Sequence, residues 1–269
     1  MHRRHLLALL LILLSATAGH AVASGMFGRQ GRTELTVFAA ASLTDAYREL
    51  GRNFEAANPG VSVVFNFAGS QQLAAQLGQA APADVFASAD RAQMLVAIEA
   101  GRVDGERVRI FAQNQLVVIR SPASTVAISQ LQDLAQPGLR LILAARTVPV
   151  GRYSLDFLEK AAQDPTFGSG YRDAVLGNVV SYEENVRAVL TKVALGEGDA
   201  GIVYLSDLVS SPSASLERID IPTGLNVIAS YPIAPLSDAK HAALAEKFVD
   251  YMLAEDGRRI LARYGFTLP

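Results

Sequence analysis

From residue 35 to residue 269 the chain alternates short apolar runs with stretches of helical period, and this alternation limits its fold more than any other feature. Strand and helix patterns in regular succession predict α/β architecture with mostly parallel strands. Residues 35–39 read as a strand. Leu43, Ala46, Tyr47, Leu50 and Phe54 share one face of a helix that stops at Asn58-Pro59-Gly60. Strand 61–67, helix 71–78, strand 84–88 and helix 91–100 follow, then strand 139–144, helix 151–163, a short extended run at 178–181, helix 186–195 and strand 201–204. Helices at 239–253 and 255–264 finish the chain. Two stretches, 108–120 and 225–235, are long and extended, the first with an interruption near 112–114. They predict two crossings between two lobes, 33–112 plus 228–269 and 113–227, with a hinge and a cleft.

Residues 1–23 belong to none of this. Arg3 and Arg4 precede an unbroken apolar run at 6–14, and Ala21-Val22-Ala23 offers a small-residue cleavage site. That order predicts a secretory signal peptide, with residues 24–32 as a polar, structureless tail. The run is too short for a permanent span, which takes about 20 apolar residues. A chain starting at Ser24 keeps 22 basic and 26 acidic residues, a net charge of −4. Bulk electrostatics then disfavour nucleic acid, and any anion must be caught locally. The chain has no cysteine, which excludes disulfides, zinc–thiolate sites, thiol nucleophiles and a lipid-modified cysteine. His241 is the one histidine left after residue 23, at the start of a helix, so a histidine-rich metal site and Ser-His chemistry are both disfavoured. No metal or cofactor is expected.

Five short segments follow strand ends, the edge where open α/β sheets bind ligands. Helix starts there present free N–H groups suited to an anion. Ser42, in Ser42-Leu-Thr-Asp45, reads as a helix cap with a proton still to donate, and so does Ser70 after Gly69. Val148-Pro149-Val150-Gly151 opens a helix with exposed backbone N–H groups. In Ser181-Tyr-Glu-Glu184-Asn185-Val186 two caps compete, Ser181 with Glu184 or Asn185 alone, and only the second frees the Val186 N–H. Tyr204 ends a strand, where its hydroxyl reaches toward a cleft or a buried partner. Asp207 reads as a cap.

Ala40-Ala-Ser42-Leu-Thr-Asp45, Gly69-Ser70, Pro149-Val-Gly151, Glu184-Asn-Val-Arg187 and Gly201-Ile-Val-Tyr204-Leu-Ser-Asp207 resemble, in order and spacing, the periplasmic molybdate-binding proteins of bacterial ABC importers. The resemblance implies a two-lobed type II periplasmic binding protein fold with a tetrahedral oxyanion between the lobes. It implies hydroxyl donation by Ser42, Ser70 and Tyr204, and backbone N–H donation by Val150 and Val186. It also implies delivery of molybdate or tungstate to a membrane permease, and a monomer is expected. A branch of that family adds carboxylates in octahedral coordination, and Glu183, Glu184 and Asp156 keep that arrangement open. A sulfate binder, a ligand sensor for a membrane receptor, a ferric-ion binder needing adjacent tyrosines, and an enzyme using Ser42 or Ser70 with Lys160 or Lys192 are the competing expectations.

Overall fold

The computed structural model describes residues 32–210 and 216–269. The expected signal segment and all of the expected tail except Arg32 lie outside the described residues.

The first half alternates β1 (Thr33–Ala40), α1 (Thr44–Ala57), β2 (Val61–Ala68), α2 (Ser70–Gly78), β3 (Val85–Ala87) and α3 (Arg91–Glu99). A long strand, β4 (Arg109–Arg120), leads to β5 (Leu141–Ala144), α4 (Pro149–Gln163), α5 (Tyr171–Gly177), β6 (Val179–Glu183), α6 (Val186–Ala194), β7 (Ala200–Tyr204), α7 (Leu205–Ser210) and β8 (Glu217–Asp220). Strand β9 (Ile228–Pro235) returns, followed by α8 (Ala242–Leu253) and α9 (Glu255–Arg263). His241 immediately precedes α8, partly buried, and its backbone N–H donates to Asp84 Oδ1 at 3.1 Å.

The strand order is β2-β1-β3-β9-β4-β7-β5-β6, with β8 also on β4. Parallel pairing is confined to β1 with β2 and β3, and to β5 with β6 and β7. Every pairing of β4 and β9 is antiparallel. The expectation of mostly parallel strands is therefore corrected: parallel ladders join β1 to β2 and β3 and β5 to β6 and β7, whereas β4 and β9 run opposite to each strand they pair with. Strand β4 pairs with β9 from Arg109 to Gln115 and with β7 from Leu116 to Arg120. The expected interruption at 112–114 is a register shift between Ile110 and Ala112 inside a continuous strand, a β-bulge that bends the ladder without ending it.

Helical period decides which faces are buried. In α1, Ala46, Tyr47, Leu50 and Phe54 lie inside and Arg48, Arg52 and Asn53 outside. In α6, Val186, Val189, Leu190 and Val193 are buried. Burying each large apolar side chain contributes ~1.5–3 kcal/mol, and these faces fix the helix axes against the sheet. Helix α4 begins at Pro149, two residues before its expected start, because proline suits the first helical position.

Candidate functional site: a neutral cavity at the strand ends

All five residues singled out from the sequence line one cavity. Its walls are Ala40, Ala41, Ser42, Gly69, Ser70, Ala89, Val148, Pro149, Val150, Asn185, Val186 and Tyr204, around about 220 Å³ that includes its opening to solvent. Each contribution follows the carboxyl end of a strand: Ser42 after β1, Ser70 after β2, Ala89 after β3, Val150 after β5, Val186 after β6, and Tyr204 closing β7. No lining residue carries a charge.

Neither serine caps a helix, which corrects that expectation. Ser42 sits inside a 3₁₀ turn, Ala41–Leu43, and its Oγ lies 2.9 Å from Tyr231 Oη. Leu43 holds the cap position of α1 without a side-chain bond. Ser70 is the first residue of α2, and its Oγ accepts the Ala89 N–H at 2.9 Å. With its oxygen so engaged, the Ser70 hydroxyl has its proton to give to whatever fills the cavity. Gln72 accepts the Gly69 N–H at 3.1 Å and steadies that helix start.

The facing wall is backbone. Val150 is the second residue of α4 and Val186 the first of α6, so neither N–H has an acceptor within its helix. Both helix starts also present positive dipole ends. Gly151 is required where α4 meets β5: a Cβ there would lie 2.1 Å from the Ala145 carbonyl oxygen and 2.5 Å from that of Ala144. Between the competing caps, Asn185 prevails, accepting the Ala188 N–H at 3.0 Å. Ser181 is held within β6, where its hydroxyl donates to Glu183 Oε1 at 2.5 Å.

Tyr204 is 1 % exposed and its hydroxyl has no hydrogen-bond partner among the described residues. A buried phenol without a partner is costly, and this one borders the cavity. Burial, reinforced by neighbouring Tyr231, raises its pKa well above 10, so it stays a proton donor. Asp207 reaches back to accept the Tyr204 N–H at 3.2 Å, fixing the end of β7.

The match to a family model for bacterial extracellular solute-binding proteins covers residues 35–267. The chain belongs to that family. Among relatives of this solute-binding protein, the molybdate-binding protein ModA of Mycobacterium tuberculosis is 39% identical over 263 residues, 97% of this chain and 95% of the relative. Among solved structures, the Azotobacter vinelandii periplasmic molybdate-binding protein superposes with a TM-score of 0.75 at 22% identity, covering 87% of this chain and 99% of that one. The sulfate-binding protein SubI of Mycobacterium tuberculosis superposes with a TM-score of 0.77 at 18% identity, covering 88% and 87%. These likenesses establish the periplasmic binding protein fold.

In this solute-binding protein the charges near the cavity are committed elsewhere. Arg152 Nη2 meets buried Asp90 at 2.9 Å, and Arg187 meets Asp45 at 2.5 Å and buried Asp207 at 3.1 Å. Gln71 and Gln72 donate to the Glu184 carbonyl oxygen and carboxylate at 2.8 and 3.0 Å. The first two of these ion pairs and the glutamine bonds join the β1–β3 side of the cavity to the β5–β7 side. Glu183 is bound by Lys192 at 2.8 Å. Burial pushes its carboxyl up, but Lys192 and Ser181 together hold it below the usual glutamate range. Asp156 is exposed on α4. None of Glu183, Glu184 and Asp156 lines the cavity. Lys160 donates to the Asn226 carbonyl at 2.8 Å, and neither it nor Lys192 lines the cavity with Ser42 and Ser70.

Sequence reasoning missed Tyr231, Asn114 and the three arginine–aspartate contacts. The Tyr231 ring packs 5.9 Å from the Tyr204 ring, a neighbour in space that is not adjacent in sequence. A tyrosine inside an apolar crossing strand was the available signal, since a buried phenol needs a partner.

Proposed function

We propose that this chain is an exported binding protein, not an enzyme, that captures molybdate or tungstate and delivers it to the membrane permease of an ABC importer. The observation that carries the reading is the convergence of Ser42, Ser70, Val150, Val186 and Tyr204 on one uncharged cavity, with the Tyr204 hydroxyl buried and unpartnered. Hydrogen bonds to a charged group contribute about 1.5–3 kcal/mol each, so five donors hold a dianion without a cation. A donor-only lining also disfavours hydrogen phosphate, whose own proton would find no acceptor. Tetrahedral coordination is favoured because the three nearby carboxylates lie off the cavity and Glu183 and Glu184 are bonded to other groups. The two metal oxyanions are nearly equal in size, so both bind.

Sulfate is the second reading, supported by the SubI likeness, which as a match of fold is no weaker than the molybdate one. The 39% identical relative favours molybdate. We further propose lobes of 33–112 with 228–269 and of 113–227, hinged on β4 and β9, a signal peptide cleaved after Ala23, a periplasmic location and a monomer that needs no cofactor. Isothermal titration of residues 24–269 with molybdate, tungstate, sulfate and phosphate tests the ligand. One-to-one binding of the first two, with sulfate much weaker, is expected. Preference for sulfate or phosphate would overturn the ligand, and silence toward all four would overturn the oxyanion reading.

A further inference from the structure

A chain of buried polar groups, Asn114, Tyr231 and Ser42, runs behind the cavity. Asn114 on β4 is oriented by its neighbours: its Oδ1 accepts the Gln115 N–H at 3.0 Å, and its Nδ2 donates to Ser206 Oγ at 2.7 Å. Its amide therefore presents N–H, not oxygen, to Tyr231 Oη, at a long 3.5 Å. Tyr231 is fully buried and does not line the cavity, so its proton cannot reach a ligand itself. The 2.9 Å contact between Ser42 Oγ and Tyr231 Oη does not itself fix the donor, but with the Asn114 N–H already directed at Tyr231 Oη the phenol proton is the one left for Ser42. Once Ser42 accepts from Tyr231, its own proton is left to point into the cavity. Ser70 is polarised the same way by the Ala89 N–H.

We propose that Tyr231 is a positioning residue for specificity: held by Asn114, it fixes Ser42 as a donor and so makes the cavity reject oxyanions that carry a proton. The proposal rests on the oxyanion reading above. Without the phenol, Ser42 could turn and accept, which suits the proton of hydrogen phosphate and suits molybdate less.

The test is a double-mutant cycle by isothermal titration, with molybdate and inorganic phosphate as probes, on wild type, Tyr231→Phe, Ser42→Ala and the double variant. Tyr231→Phe should weaken molybdate about tenfold, the scale of one hydrogen bond to a charged group, and narrow the gap between molybdate and phosphate. In the Ser42→Ala background the same change should cost less than about twofold, because the hydroxyl it positions is gone. An equal loss in both backgrounds, or an unchanged molybdate-to-phosphate gap, would assign Tyr231 a purely structural role and overturn the proposal. Wild-type silence toward molybdate would overturn the ligand reading, and this proposal with it. If Tyr231→Phe fails to fold by circular dichroism, Asn114→Asp replaces it. Its carboxylate would draw the Tyr231 proton off Ser42, and its effect must likewise shrink in the Ser42→Ala background or the proposal falls.

Discussion

The two walls of the cavity present hydrogen-bond donors of different kinds. The wall after β1 and β2 presents the hydroxyls of Ser42 and Ser70, each in contact with a second group, Tyr231 Oη or the Ala89 N–H. The wall after β5 and β6 uses the backbone N–H groups of Val150 and Val186, aimed by helix geometry alone. A hydroxyl rotates and needs a partner to fix it, whereas a helix start points its N–H groups wherever its axis lies. The first wall should therefore be sensitive to side-chain deletion. The second should be sensitive to whatever sets the helix position and indifferent to the side chains of its donors.

The largest effect expected is at Gly151. The Cβ of Gly151→Ala would press on the Ala144 and Ala145 carbonyl oxygens, pushing the start of α4 away from the cavity. Titration should show molybdate weakened about a hundredfold, the upper end of overpacking costs of ~1–3 kcal/mol. Unchanged binding would mean that the α4 N–H groups do not serve the ligand.

Ser70→Ala and Tyr204→Phe sharpen the contrast. Each removes one donor, so each should weaken molybdate by about ten- to a hundredfold. Their effects on folding should differ. Ser70→Ala leaves the Ala89 N–H unpaired and should lower the melting temperature. Tyr204→Phe removes a hydroxyl that has no partner among the described residues and should leave the ligand-free melting temperature unchanged or higher. A marked loss of stability in ligand-free Tyr204→Phe would show that the hydroxyl is structural.

Asp207 underlies the β7 end of the cavity. Burial pushes its carboxyl up to about 6, against the pull of Arg187. A carboxyl with a folded pKa above its unfolded value near 3.9 binds its proton more tightly when folded, so through this group the protein loses stability as pH rises from about 4 to about 6. The melting temperature of wild type relative to Asp207→Asn should therefore be more favourable at pH 4.5 than at pH 7.5. The opposite trend would contradict the assignment.

The smallest effect should come from Val150→Ala. Its buried side chain supports packing, so folding should lose about 1–2 kcal/mol while molybdate affinity changes less than about threefold. A larger affinity loss would mean that this wall reads side chains after all.

Much of this arrangement was legible because it is local. The serines, the Pro-Val-Gly helix start and Tyr204 each stand at a strand end that periodicity places, and short-range pattern brings them to one edge. What was not legible depends on distant pairing. Ser42 and Tyr231 are 189 residues apart, and no local pattern announces that β9 runs where its phenol meets the turn after β1. The contest between Ser181 and Asn185 was settled by sheet register: Ala144 pairs with Glu183, which keeps Ser181 inside β6 and moves the helix start beyond it. Helices α5 and α7 escaped notice because 7 and 6 residues carry too little period to read.

The most direct test is a crystal structure of the molybdate complex with anomalous scattering at the molybdenum edge. One tetrahedral anion is expected in this cavity, its oxygens within hydrogen-bond distance of the Ser42, Ser70 and Tyr204 hydroxyls and the Val150 and Val186 N–H groups, with no carboxylate on the metal. Molybdenum bound elsewhere, or ligated by Glu183, Glu184 or Asp156, would contradict it.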